Sequence, residues 1–164
     1  MDLLDRLLGH DAWTTRELLT RCVTLTDEQL DMDFDIGHRT VRRTCQHIVF
    51  NTEVWAGLMA GRITSSQDVR RPPSTPVLIL ERHERAAATL ADVARAVSDR
   101  QGWDETWVDI LDTPPVTRTY GGAIAHAITH SMHHRAQLLY MLKGLGLRDL
   151  PEGDALSWET RAGT

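Results

Sequence analysis

The chain has 164 residues, of which 41% are hydrophobic and 25% charged, enough for one domain with one substantial core. A net charge of −5 argues against an electrostatic grip on nucleic acid or anionic lipid. No apolar run is long enough to span a membrane, and Met1-Asp2-Leu3-Leu4-Asp5 lacks the basic start and apolar core of a secretory signal. Cys22 and Cys45 are the only cysteines and form no CxxC pair. They read as small buried hydrophobes, with a reactive thiol left open, and fit a reduced, cytoplasmic setting.

Taken in chain order, segment 2–23 places Leu4, Leu8, Thr15, Leu19 and Cys22 on one stripe, the pattern of an amphipathic helix. Thr26-Asp27-Glu28-Gln29 reads as a capping box, and Asp35-Ile36-Gly37 breaks the chain. A second helix is expected over 39–60, stopped by Gly61, followed by a polar loop over 62–75 with Ser65, Ser66, Pro72 and Pro73. Thr75 and Pro76 suit the start of a third helix running to about Arg100. Thr106, Val108 and Ile110 then alternate with other residues, and Asp112-Thr113-Pro114-Pro115 makes a turn, so a short hairpin or extended excursion is expected. Gly121-Gly122 opens a fourth helix over 122–143, closed by Gly144 and Gly146. The expected fold is all-α, a four-helix bundle with the excursion between helices three and four. It forms a single domain over 1–150, with a polar tail over 151–164 packed on it through Trp158.

Half of the eight histidines fall between 126 and 134. On a helix, residues four apart stack on one face, so His126, His130 and His134 form a ladder. Turning about 100° per residue from His130, the residues Ala123, Ala127, His134, Leu138 and Met141 share an inward face. His126, His133 and Gln137 lie to one side of it. Ile124, Ile128, Met132, Leu139 and Leu142 cover a further sector, so the helix is apolar around more than half its circumference. Such a helix is either central or buried in a subunit interface; a homodimer is the favoured reading. On the second helix, His47, Asn51, Val54, Trp55 and Leu58 share a face. His47 with His130 and His134 gives the three-nitrogen set of a catalytic metal site, with a position open to water or substrate and room left by Ala123 and Ala127.

Plainer readings stand beside this. An i, i+4 histidine pair also arises by chance, and a lone core histidine is usually hydrogen-bonded structure. His38 reads as a surface or capping residue, His10 and His83 as structural or solvated, and His133 as a surface residue. The tryptophans read as core anchors, with Trp55 a candidate wall of the pocket. Asp11 lies within the apolar stripe of the first helix, where a charge is costly unless paired. It either orients a metal-bound histidine or reaches solvent at the bundle edge.

Three stretches resemble the DinB-like superfamily of bacterial metal-binding four-helix bundles. His10-Asp11-Ala12-Trp13-Thr14-Thr15-Arg16-Glu17-Leu18-Leu19 is similar to that family's opening helix motif. Gly37-His38-Arg39-Thr40-Val41 with Cys45-Gln46-His47-Ile48 and Glu53-Val54-Trp55 is similar to the motif around its metal histidine, and His126 to Gln137 to its closing motif. The resemblance implies His47, His130 and His134 as ligands, the same three that the helix faces select. It also departs in places: Asp11 and Thr15 stand where the family often has amides, and Ala136 where it usually has Gly.

Some relatives use a low-molecular-weight thiol, such as bacillithiol or mycothiol. The resemblance therefore implies a metal-dependent transferase that joins such a thiol to a small electrophile, with Zn first on ligand type and Ni second. The alternatives are a metal-dependent hydrolase, for which no HExxH base is evident, and a non-catalytic, stress-associated metal-binding dimer. By helix geometry Arg135 points away from the ligands and reads as a salt-bridge residue, whereas Gln137 lies near enough to hydrogen-bond to the site.

Overall fold

The computed structural model describes residues 1–162; the last two residues of the expected tail lie outside them. Helix α1 (Leu3–Cys22) starts where the Asp2 carboxylate accepts the Asp5 N–H, satisfying one of the amides that a helix start leaves free. The one-turn α2 (Asp27–Leu30) has the full capping box between Thr26 and Gln29. Thr40 caps α3 (Val41–Met59) by accepting the Arg43 N–H, and Gly61, at φ +67°, turns the chain just past its end. After a 3-10 turn at Ser66–Asp68, α4 (Pro76–Asp99) begins with proline at its first position. Strands β1 (Thr106–Asp109) and β2 (Val116–Thr119) form the expected antiparallel hairpin, with Thr106 opposite Thr119. Thr119 then caps α5 (Tyr120–Gly144) through the Gly122 N–H.

The tail departs from expectation by ending in a further helix, α6 (Ala155–Ala162). It is short, and its start is set locally by the Asp154 carboxylate, which accepts the Leu156 and Ser157 amides at 2.9 Å each. Trp158 is buried on α1 against Gly9, where an added Cβ would lie 2.8 Å from the indole. His10 Nε2 donates to the Gly153 carbonyl at 2.9 Å, tying the approach to α6 down as well.

The long helices pack as a closed ring: α1 on α4, α4 on α3, α3 on α5, and α5 on α1. Two apolar clusters fill it. One joins Leu18, Leu19, Ile48, Ile79, Leu138 and Leu142. The other joins Leu8, Ala56, Leu90, Ala94, Ile124 and Ile128. Between them, every long helix contributes buried polar residues: His10, Asp11, Thr14 and Thr15 from α1, Thr52 from α3, His83 from α4, and Ser131, His134 and Arg135 from α5.

Arg135, 1% exposed, is the centre of this layer. Its Nη1 pairs with the Asp11 carboxylate and donates to Thr15 Oγ1 and Ser131 Oγ at 3.1 Å each. Arg135 is therefore a salt-bridge residue, as expected. Asp11 corrects both readings offered for it: it neither orients a site histidine nor reaches solvent, because a cation buried opposite captures it. Ala123 and Ala127 are corrected too. They are buried in the second apolar cluster, where they pack against other helices rather than face the histidines. The apolar girth of α5 is largely accounted for within the chain, since Ile124, Ile128, Leu139 and Leu142 are all buried.

A buried ion pair contributes little net stability but is costly to break, because one charge is left unpaired. Asp11→Ala should lower the unfolding free energy by roughly 3–5 kcal/mol, read from urea denaturation, and the double replacement Asp11→Leu with Arg135→Met should lose clearly less.

Candidate metal centre

His47 on α3 and His130 and His134 on α5 come together as the sequence expects. His130 Nε2 lies 3.2 Å from His47 Nε2 and 3.2 Å from His134 Nε2. A fourth ring joins them. His38 stacks on His47 with ring centres 3.8 Å apart, and one nitrogen each from His38, His47 and His134 lie within 4.8 Å of one another. His38 is thus no isolated surface or capping residue, and that reading is corrected. Thr40 performs the capping, while the preceding turn folds His38 back over α3.

The cause is the backbone of that turn. Gly37 and Arg39 both have positive φ, at +51° and +68°. Arg39 N–H donates to the Ile36 carbonyl and Thr40 N–H to that of His38. At Gly37 the conformation favours glycine, and a Cβ there would meet the Gln137 amide, which would have to shift. The left-handed turn nine residues before His47 was the available signal, but periodicity does not report which way a loop residue points.

Gln137 fixes the orientation of His134. Its Oε1 accepts from His134 Nδ1 at 2.8 Å, and its Nε2 donates to His133 Nε2 at 3.0 Å. With the proton on Nδ1, His134 turns a bare Nε2 lone pair toward His130 and His47. Holding the far nitrogen in this way sets the tautomer and direction of a ligating imidazole. The expectation that Gln137 reaches the site is therefore met.

Three Nε2 atoms meet here through two contacts of 3.2 Å. A proton on His130 Nε2 can serve His134 while the Asn51 amide serves His47, so hydrogen bonds can satisfy the metal-free cluster. A cation would replace these bonds and take up all three lone pairs at once. Tetrahedral coordination at ordinary Zn–N lengths would set nitrogens about 3.4 Å apart, close to the two His130 contacts, whereas the three rings with nitrogens mutually within 4.8 Å are His38, His47 and His134.

The electrostatics favour neutral rings. Burial, then the neighbouring imidazoles His38, His134 and His130, push the His47 pKa down to about 3. Burial, then His134 and other histidines, push that of His130 down to about 4. Burial also lowers His134, against the raising effect of its bond to Gln137, and lowers His38.

Beyond the cluster, His126 is exposed, 5.2 Å from the His130 ring and 5.0 Å from Trp55. Trp55 does flank the site, and the hairpin braces it. Trp107 packs edge-on at 6.1 Å, and Arg118, held by Asp109 and Asp112, lies 5.4 Å from the Trp55 ring centre. Asn51 places its amide nitrogen 3.1 Å from His47 Nε2 and 3.2 Å from the His47 carbonyl. His47, His130 and His38 are half-buried and His133 is exposed, so the cluster opens to solvent on one side. His10 and His83, read as structural or solvated, are buried and bonded to the Gly153 and Ala12 carbonyls.

The DinB family profile matches residues 1–159. The chain belongs to the DinB family. Two solved structures agree. A DinB-like protein from Bacillus cereus ATCC 10987 is 19% identical, with a TM-score of 0.62 over 87% of this chain and 89% of that one. A protein from Exiguobacterium sibiricum 255-15 assigned to the DinB family is 25% identical, with a TM-score of 0.61 over 90% of this chain and 94% of that one. Among curated proteins, none matches. The family assignment and the histidine cluster are together consistent with metal binding. Among the described residues of this DinB protein, no helix is long and apolar enough to cross a membrane.

Two outcomes are expected. Between pH 6.5, where free histidines titrate, and the lowered values of His47 and His130, the unfolded chain binds more protons than the folded one. Stability of the metal-free protein should therefore fall as pH drops through this window, and the fall should be shallower in His47→Gln, checked by urea midpoints across the range. Separately, Gln137→Ala should weaken affinity for a divalent metal by about 10–100-fold while the far-ultraviolet circular dichroism is unchanged, read by competition with a chelating dye.

Proposed function

We propose that this DinB protein holds one divalent metal through His47, His130 and His134, within a four-helix bundle formed by the ring of long helices. The observation that carries this is that His130 Nε2 lies 3.2 Å from both His47 Nε2 and His134 Nε2, with the Gln137 carbonyl holding the proton of His134 on the opposite ring nitrogen. Neutral imidazoles suit Zn first and Ni second. His38 stands close enough to act as a further or alternative ligand.

We further propose a transferase that joins a low-molecular-weight thiol to a small electrophile, forming a sulfur–carbon bond as the electrophile's leaving group departs. A divalent ion in the site supplies the positive charge that lowers the pKa of a thiol. The supporting feature is the open side of the cluster, since a purely structural ion is normally enclosed by four protein ligands. His126 and Trp55 border that side and would contact a bound substrate. A homodimer is the proposed assembly, because Met132, Ala136 and Tyr140, spaced four apart, leave an exposed stripe along α5.

Elemental analysis of untagged protein should give about one first-row metal per chain, lost in His130→Ala. Loss in His38→Ala with retention in His130→Ala would replace His130 by His38 in the ligand set. Metal-loaded protein should consume a thiol with a test electrophile. Metal bound without turnover, across several thiols and electrophiles, would leave a binding role only.

A further inference from the structure

We propose that a second cleft, between α3, α4 and the 61–70 loop, binds a small organic anion: a phosphate or carboxylate head on a short apolar body. The proposal is independent of the metal reading.

The cavity is about 330 Å³, at the lower end of the range for small-molecule sites. Three arginines line it, Arg62 from the loop start, Arg70 from the loop end and Arg85 from α4, in a chain whose net charge is −5. Its two carboxylates are already engaged. Glu53 is paired with Arg82, which also donates to the Arg71 carbonyl. The Asp68 carboxylate accepts the Thr64 and Ser65 amides at 2.8 and 3.0 Å and the Thr64 hydroxyl at 2.9 Å.

The guanidiniums are far less occupied. Arg62 donates one N–H to Thr89 Oγ1 at 2.9 Å. Among the described residues, the guanidiniums of Arg70 and Arg85 have no hydrogen-bond or ion-pair partner. Arg85 also lies near enough to Arg82 to oppose its charge, an effect second to burial in lowering the Arg82 pKa. Arg62, Arg70 and Arg85 are solvent-exposed, and with Glu53 and Asp68 the lining is net positive, so a bound anion would be attracted to it. Planar guanidiniums match the paired oxygens of a carboxylate or phosphate.

The remaining wall is apolar: Val54, Ile63, Val69 and Ala86. The chain builds this wall at Gly57, whose carbonyl accepts the Arg62 and Ile63 amides at 2.8 and 3.2 Å and folds the loop back over α3. A Cβ at Gly57 would lie 2.8 Å from Ile63 Cδ1, so glycine is what lets Ile63 seat there. A lining that combines charged donors with aliphatic groups selects an amphiphilic anion over a bare one.

The test is an NMR titration of the 164-residue protein, as purified, with inorganic phosphate, phenyl phosphate and benzoate. Shifts are expected at the Gly57, Ile63 and Val69 amides and at the Nε–H groups of Arg62, Arg70 and Arg85. Phenyl phosphate or benzoate should bind more tightly than inorganic phosphate, and whichever is tighter names the head group. Arg70→Ala with Arg85→Ala should weaken binding at least about tenfold, with the Lys pair retaining part of it. Should the Ala pair not fold, Arg70→Gln alone should give a smaller loss in the same direction. No shift at these positions up to about 10 mM of any probe would overturn the proposal. So would shifts confined to the histidine cluster, or unchanged affinity in the folded variants.

Discussion

The ion pair between Arg135 and Asp11 constrains everything around it. A guanidinium inside a protein must face its acceptors, and those available here come from α1 and from α5 itself. That requirement fixes how α5 is rotated about its axis and how far it slides along α1. His134 precedes Arg135 by one residue, about 100° around the helix. Once Arg135 is held toward α1, His134 and His130 are aimed at α3, where His47 stands. The pair leaves Arg135 Nε and Nη2 without a protein partner, so it is better understood as setting register than as adding stability.

What the sequence reveals is largely what helical periodicity can carry. The four long helices, the hairpin and the triad of His47, His130 and His134 follow from spacing and capping residues, and the structure brings these histidines together. Direction off a regular element is harder to read. His38 sits in a left-handed turn whose path depends on the Gly37–Gln137 contact, a meeting of residues 100 positions apart in the chain. Asp11 reads as a charge out of place, but its partner lies 124 residues away. Ala123 and Ala127 share the histidine face in projection. Along the helix axis, however, they lie one to three turns nearer the N-terminus, inside the second apolar cluster. A helical wheel discards that axial coordinate.

The histidine cluster is also assembled hierarchically. Gln137 holds His134, Gly37 admits Gln137, and the turn at Gly37 delivers His38 to the face of His47. One amide side chain thus links α5 to the turn at Gly37, and His38 in that turn reaches α3. Burial and mutual proximity lower the pKa values of His47 and His130, so these imidazoles are unprotonated near neutral pH and their lone pairs are open to a cation.

The polar layer across the middle of the molecule divides its interior into two half-cores with separate apolar contents. Dispersion and burial act within each half, whereas the layer joining them relies on directional bonds that water can replace. The two halves are therefore candidates for separate cooperative units in native-state hydrogen exchange, with different opening energies. The histidines sit at that seam. Anything bridging α3 to α5 there would act as a staple, coupling the fluctuations of one half to those of the other.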